Sequence, residues 1–594
     1  MITLSKLLVN TNSPWDATKE PNPCSWIDVK CNPDKTQVTH IFLTGIGLES
    51  SDFLPVICKI GSLQWLDLSN NRLSSIPDDF IDVCGQIYEL QTLSFSRNSL
   101  VGPLPTFLGF VRLKTLDLSW NSLSGNIGSQ LDGLRSLKSL NLSNNKFNGH
   151  VPINLGKSMM LEELQLSANS FQGSIPSEIV SYQNLHRIDL SENQLSGSIP
   201  EVLGKLINLA VLVLSSNKLR GEIPTSLSNM QTLQYFAANE NNFYGGVPSG
   251  LTRFLMHLEL RHNRLAGLIP PDFLSRPNVQ ILDLSHNMLE GPIPANVSQN
   301  LVILRLGSNR MNGSIPVSFE ALANLTHLEL ENNTLTGVIP PQLSSCKSLE
   351  VLNLAQNNLI GALPAELAGL DSLDVMQLQL NKLSGEIPEQ LPYRLSILDI
   401  SWNSLNGSIP SITGLNNLKH LYLQGNDLSG PIPDGLPYLV ELQLGQNQLS
   451  GMIPLMPLSL QIVLNLSSNL FKGPIPSNLS QLMGLKVLDL SNNKFSGEIP
   501  ISYTQMATLT ELILSNNQLS GLIPEFPPRV SIDVSGNIGL AYTYEELERK
   551  KGRHNGVIRV IGVGAFLLVS TIFLLFLLLG EPRRDRTRPI SVEG

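Results

Sequence analysis

His257, Glu259 and Arg261 stand six, four and two residues before an asparagine, Asn263; at the same offsets from other asparagines stand Val211, Val213, Tyr235, Arg305, His327, Glu329 and Glu331. Side chains at alternate positions of an extended segment share one face. Residues of these types can therefore grip a ligand through ion pairs, hydrogen bonds and ring contacts. Catalysis would need convergent groups, and the sequence does not supply them. The nine histidines are dispersed, and there is no His-Glu-x-x-His, no Gly-x-Ser-x-Gly and no metal-spaced Cys/His set. A protein kinase would need a Gly-rich loop, a strand Lys, His-Arg-Asp and Asp-Phe-Gly; none occurs, and Gly562-Val-Gly564 sits inside an apolar run. No enzyme activity, cofactor or metal is expected of this chain.

The elements that would carry such residues follow from a repeat. A Leu-x-x-Leu-x-Leu-x-x-Asn-x-Leu pattern recurs with its asparagine at twenty positions from Asn71 to Asn517, at spacings of 21 to 27 residues and most often 24. A degenerate start (Val38, Ile41, Leu43) precedes it and a half repeat (Ile532, Val534, Asn537) follows. In the repeat ending at Asn193, Ile188 and Leu190 alternate with polar neighbours, the period of a strand with one buried face. One repeat cannot cover that face, so successive repeats must lie side by side and share a leucine core. The asparagine turns the chain inward and its amide can serve backbone carbonyls of adjoining turns, which makes Asn193 and its equivalents structural. The second half of each repeat, as in Leu195-Ser-Gly197-Ser-Ile-Pro200, predicts an outer side that is extended and irregular instead of helical, because Gly permits the excursion and Pro stops a helix.

Composition agrees. Charged residues are 15% and hydrophobic residues 42%, and the net charge is −9, becoming −12 once residues 541–594 are set aside. An acidic body of this kind excludes a nucleic-acid or polyanion binder.

The run Leu-Ser-x-Asn-x-Leu-x-Gly-x-Ile-Pro resembles the plant-specific leucine-rich repeat of receptor-like kinases and receptor-like proteins. The resemblance covers roughly residues 4 to 580 and includes a cap, with Leu7, Leu8, Trp15, then Cys24-Ser-Trp26-Ile-Asp-Val29-Lys-Cys31, where Asp28 replaces the family's usual Gly. It implies an α/β leucine-rich repeat solenoid, mostly β, a right-handed superhelix with a parallel sheet on its concave face. It also implies a Cys24–Cys31 disulfide. Cys58 and Cys84 lie five and six residues before the leading Leu63 and Leu90 of neighbouring repeats, so stacking brings them near each other as a second bridge. Cys346 is left without a partner, as a buried apolar residue. The family's C-terminal cysteine pair is missing.

The expected organisation is a cap over 1–37, a solenoid over 38–540, a charged juxtamembrane spacer over 541–556, one transmembrane helix over 557–580 and a short cytoplasmic tail over 581–594. The span rests on Val560–Leu579, twenty residues without a charge. Basic residues flank it on both sides, so the extracellular character of the repeats sets the orientation. That character rests on the paired cap cysteines and on sequons at Asn141, Asn296, Asn312, Asn324, Asn332, Asn406, Asn465 and Asn478, some of which the repeat itself generates. The residues before the cap do not read as a signal peptide and residues 581–594 do not read as a kinase, so the expectation is a chain that is mature or truncated, or a gene model that lacks those parts.

The common filling of the two concave positions before the asparagine is Asp and Ser, as at Asp189 and Ser191 or Asp489 and Ser491. Departures concentrate at Val211, Val213, Tyr235, His257, Glu259, Arg261, Ile303, Arg305, His327, Glu329 and Glu331, with a second group at Gln377, Gln379, His420, Tyr422 and Gln424. On adjacent strands these would form a groove for an extended peptide. Two family devices are missing: an Arg-x-Arg pair for a peptide carboxylate, and the inserted island of the steroid-binding relatives. The expectation is a single-pass plasma-membrane receptor-like protein that binds a peptide or protein on its concave face and signals through a leucine-rich repeat receptor kinase co-receptor near its C-terminal repeats. The alternatives are a truncated receptor-like Ser/Thr kinase and a wall-associated inhibitor or adhesion protein.

Overall fold

The computed structural model describes residues 1–8, 11, 15–153, 155 and 159–551. The run Val560–Leu579 and the tail at 581–594 lie outside the described residues. Among the described ones no helix is long and apolar enough to cross a membrane.

The chain opens on a short helix, Ile2–Leu7, that buries Leu4, while Leu8 just beyond it is buried and Leu7 faces solvent. Trp15 and Trp26 meet at 5.3 Å, and the Cys24–Cys31 disulfide closes the cap. The cap strand Val29–Cys31 runs antiparallel to Val38–Phe42. Every later pairing on that sheet is parallel and sequential, giving 23 strands among the described residues. Most are three residues long with only the middle one buried, as in Arg187–Asp189, where Ile188 points into the core. A three-residue strand has no stability of its own. Its neighbours on both sides supply it.

The asparagine ladder holds the coils in line. Asn193 Nδ2 donates to the carbonyls of Leu166, Leu190 and Ser191 at 3.0, 3.2 and 2.9 Å, and its Oδ1 accepts the Phe171 amide at 2.9 Å. The pattern recurs from Asn71 to Asn537. The residue before the asparagine is left-handed even when it is bulky, as at Glu192 (φ 53°), His262 (φ 52°) and Trp402 (φ 53°). Such a conformation costs about 1 kcal/mol or more for a non-glycine residue, and the bonds of the following asparagine hold it.

The outer side differs from the irregular, non-helical path that the Ile-Pro motif predicts. Short strands flank the turn and form a second parallel ribbon, ten strands from Val101–Pro103 to Arg310–Asn312, with separate groups of three, two and four beyond it. After the proline come 3-10 turns, including Ser177–Ser181, Glu201–Lys205, Val317–Ala321 and Ile501–Gln505. The proline does not end a helix here. It sits just before the first turn residue at φ near −65° (Pro200, φ −65°), where its ring pre-sets the entry and its missing N–H is not needed.

The first repeats carry α-helices instead, Leu54–Ile57 and Asp78–Cys84, joined by the Cys58–Cys84 disulfide. A bridge closing 26 residues contributes about 3.5 kcal/mol in the chain-entropy account. Cys346 is buried, its Sγ donating to the Phe319 carbonyl at 3.2 Å. The charged segment after the last repeat is helical, Tyr544–Lys551, started by a capping box in which the Glu546 amide donates to Thr543 Oγ1 and the Tyr542 amide to Glu546 Oε2.

Candidate ligand-binding face

The Asp-x-Ser background closes upon itself. Asp283 Oδ1 accepts the Ser285 amide at 3.0 Å and its hydroxyl at 2.6 Å, and Asp189 with Ser191, Asp399 with Ser401 and Asp489 with Ser491 do the same. One oxygen of each carboxylate is thereby committed within its own coil. Repeats that abandon the pair expose other chemistry at the same address.

The parallel register brings the central departures together in two rows. One row runs Val211, Tyr235, His257, Ile281, Ile303, His327 on neighbouring strands. The next runs Val213, Ala237, Glu259, Asp283, Arg305, Glu329. At about 4.8 Å per strand the six strands form a face about 24 Å long. Tyr235 meets the His257 ring edge-on at 5.5 Å and its hydroxyl donates to Glu259 Oε1 at 3.3 Å. Asn239, buried between them, donates to Glu259 Oε2 at 3.0 Å and accepts the Arg261 amide. Arg261 reaches Glu240 at 3.1 Å, and Arg305 Nε donates to Glu329 Oε1 at 2.8 Å. Burial, reinforced by the Glu259 carboxylate, pushes the Tyr235 phenol up to about 12.

Glu331 is different. Its carboxylate lies where a side chain on Gly307 would otherwise stand, with Oε1 2.0 Å from the position a Cβ would take there. Its Oε2 is buried without a hydrogen-bond partner. Burial pushes its pKa up to about 7, partly offset by its own backbone amide, with Glu329 and Asp283 adding to the rise and Arg305 opposing it. A raised folded-state value means the neutral form stabilises the fold below the ordinary carboxylate range, and that contribution disappears as pH climbs through 7. Between pH 5 and 8 the repeats around Gly307 are expected to lose at most about 3 kcal/mol of protection against amide exchange. Glu331→Gln should flatten that pH dependence; an unchanged profile in the variant would show that Glu331 is not its source.

The second group is not brought into contact with the first. His420 and Tyr422 lie four strand steps beyond His327, about 19 Å away. Around them Glu441 forms a compact knot: it accepts from Tyr422 Oη at 2.8 Å and Gln443 Nε2 at 2.6 Å, and sits 3.5 Å from His420 Nδ1. Gln379 and Gln424 each bury a carbonyl oxygen without a hydrogen-bond partner, and Gln377 pairs in register with Asp399.

Asn141 and Asn465 stand on concave strands, each using Oδ1 to hold the serine two residues on. Asn296, Asn312, Asn324, Asn332 and Asn406 are exposed, and Asn478 is half-buried. Four groups escape the reading by departure from background. Asn239, Glu240 and Glu441 act through neighbours one or two repeats away. The stacked pair His262 and His286, ring centroids 4.0 Å apart, occupies the left-handed position instead of a concave one. Burial lowers the pKa of both histidines.

Comparison with known proteins agrees with this architecture. A model described as Leucine rich repeat matches residues 61–123 and 299–359, and one described as Leucine Rich Repeat matches eight stretches between 136 and 529. The plant peptide hormone receptor RGFR1, solved in complex with RGF2, is 30% identical over 87% of this chain and 99% of its own, with a TM-score of 0.76. The Arabidopsis receptor kinase HAESA, solved with the peptide hormone IDA and the co-receptor SERK1, is 34% identical over 91% of this chain and 98% of its own, with a TM-score of 0.78. Among curated relatives, the probable LRR receptor-like serine/threonine-protein kinase RPK1 of Arabidopsis thaliana is 33% identical over 116 residues, 19% of this chain and 20% of its own length. The match to Receptor-like protein 56 of the same plant is 31% identical over 118 residues, 19% of this chain and 12% of the relative. The chain thus spans a fifth or less of the length of these two curated relatives.

Proposed function

Since this chain belongs to the plant leucine-rich repeat receptor ectodomains, we propose that it is a cell-surface receptor that binds an extended peptide across the strands from Val211 to His327. The observation that carries this reading is the register: Tyr235, Glu259, Arg305 and Glu329 stand on strands in the same sheet where the Asp-x-Ser pair would otherwise close on itself. A peptide laid across the rows would set apolar side chains on Val211, Ile281 and Ile303 and basic ones toward Glu259, Glu329 and Glu331. Among the described residues the concave strands pair in one continuous ladder, so the bound peptide acts by completing a surface for a second protein. We place that co-receptor near the C-terminal repeats and assign phosphoryl transfer to it, with none in residues 1–594. Val560–Leu579 is proposed as the single membrane span, which puts the repeats outside the plasma membrane and residues 581–594 inside, with glycans on the exposed sequons.

The test is photocrosslinking of the full chain in lipid nanodiscs with a pool of extended peptides. Crosslinks are expected on the strands from Val211 to His327. Crosslinks confined to the 3-10 side, or none, would refute the reading.

A further inference from the structure

The concave face holds a second groove that the peptide reading leaves unused. It lies at the N-terminal end, a cavity of about 450 Å³, within the roughly 300–1,000 Å³ typical of small-ligand sites. One end is aromatic. Trp65, 38% exposed, stacks on His40 at 6.0 Å and 19°, and Phe42 leans against both rings. Thr92 pairs with Trp65 on the next strand and Thr115 and Ser139 follow in register, so the floor beside the indole is a row of small hydroxyl residues. Side chains of this size leave the indole partly uncovered, and Trp65 lines the cavity together with His40.

The charged groups along the sides are already matched to one another. Lys138 donates to Glu162 at 2.5 Å, Glu163 accepts from Ser139 at 2.8 Å and meets His186 Nε2 at 3.2 Å, and Lys114 donates to the Gln91 amide oxygen at 2.8 Å. Such a lining offers donors and acceptors side by side and presents no net charge of one sign. It also offers no aliphatic seats, which on this sheet row begin only at Val211. A peptide strand would find nowhere to bury alternate side chains. A ligand with a flat, weakly polar face bounded by hydroxyls would match both ends at once.

We propose that this groove binds a neutral oligosaccharide of β-linked hexoses, one sugar ring stacked on Trp65 and the next ones hydrogen-bonded along Thr92, Thr115, Ser139 and Gln91. The apolar C–H face of a sugar ring finds a flat apolar partner in the indole, and the paired side chains supply the direction of the hydroxyl contacts without desolvating an isolated ion.

The test is calorimetric titration of the full chain in nanodiscs with cellopentaose, beside maltopentaose, an equally long galacturonate oligomer and a synthetic extended peptide. Cellopentaose is expected to bind at least tenfold more tightly than maltopentaose. Trp65→Ala should weaken it at least tenfold, and Thr115→Trp, which fills the floor, should abolish it while thermal melting stays unchanged. Arg305→Glu should leave it unaffected, which separates this site from the peptide face. Absence of cellopentaose binding, indifference to both substitutions, tighter binding of the galacturonate oligomer, or peptide crosslinks at Trp65 would each overturn the proposal.

Discussion

Asn287→Ala is expected to be among the most damaging single substitutions in the solenoid, at about 3–6 kcal/mol. Asn287 is 8% exposed and donates to the carbonyls of Leu260, Leu284 and Ser285 at 3.0, 3.1 and 3.1 Å, while accepting the Leu265 amide at 3.0 Å. Alanine leaves the Leu265 amide without its acceptor, at about 1–3 kcal/mol, and takes one of two donors from each carbonyl, at about 0.5–1.5 kcal/mol apiece, since Asn263 Nδ2, Asn309 Nδ2 and the His262 amide still reach Leu260, Leu284 and Ser285. Asn287→Asp separates the roles. It can still accept from Leu265 but presents a carboxylate to three carbonyls, so its folded-state pKa must rise. Its penalty should therefore be smallest at low pH and full once the pH exceeds that raised value. Amide exchange should show the loss centred on the coils from Leu260 to Leu289, because each coil touches only its neighbours. Equal exchange in Asn287→Ala and the parent chain would contradict the ladder's energetic role.

Arg305→Glu carries the second large effect, this time on recognition. Arg305 is the cation of a row whose other charged members are Glu259, Asp283 and Glu329. Reversing its charge removes the 2.8 Å contact to Glu329 and adds a fourth carboxylate beside those three. A carbonyl of the proposed peptide seated on the guanidinium would then meet a carboxylate, and Glu329, no longer held by Arg305, would lose the position from which it would receive a basic side chain. A cost of about 3 kcal/mol, more than a hundredfold in Kd, is the scale of such central charged anchors. Arg305→Lys should recover part of the affinity by restoring charge without the guanidinium geometry. Arg264→Glu, on the exposed flank strand, should change nothing. Binding of the captured peptide measures all three, with melting temperature as the control. Full affinity in Arg305→Glu would remove the central face from consideration.

How much of this was legible depended on sequence distance. The ladder and the buried middle of each strand were readable because Ile188, Leu190 and Asn193 lie within one short segment. The rows were readable for the same reason, since a fixed offset from the asparagine fixes the register. What escaped depended on contacts between coils. Glu331 occupies the space that Gly307 leaves, and nothing in either repeat alone announces that. Asn239 resembles a conservative change from serine, yet it ties Glu259 to Arg261. His40 and Trp65 are 25 residues apart in the degenerate first repeats, where the template is weakest, so the aromatic wall they form went unread. The prolines misled in another way: their fixed torsion begins a turn as readily as it ends a helix, and the outer side used the first property.

The self-bonded aspartate and serine of the ordinary coils carry an evolutionary consequence. A position that satisfies its own polar groups asks nothing of adjacent coils, so replacing it disturbs neither the spine nor the neighbouring rungs. Each outward address behaves as a separate letter in a text whose line spacing is held elsewhere. A lineage could therefore respell what such a chain recognises, one codon at a time, while its architecture stays fixed.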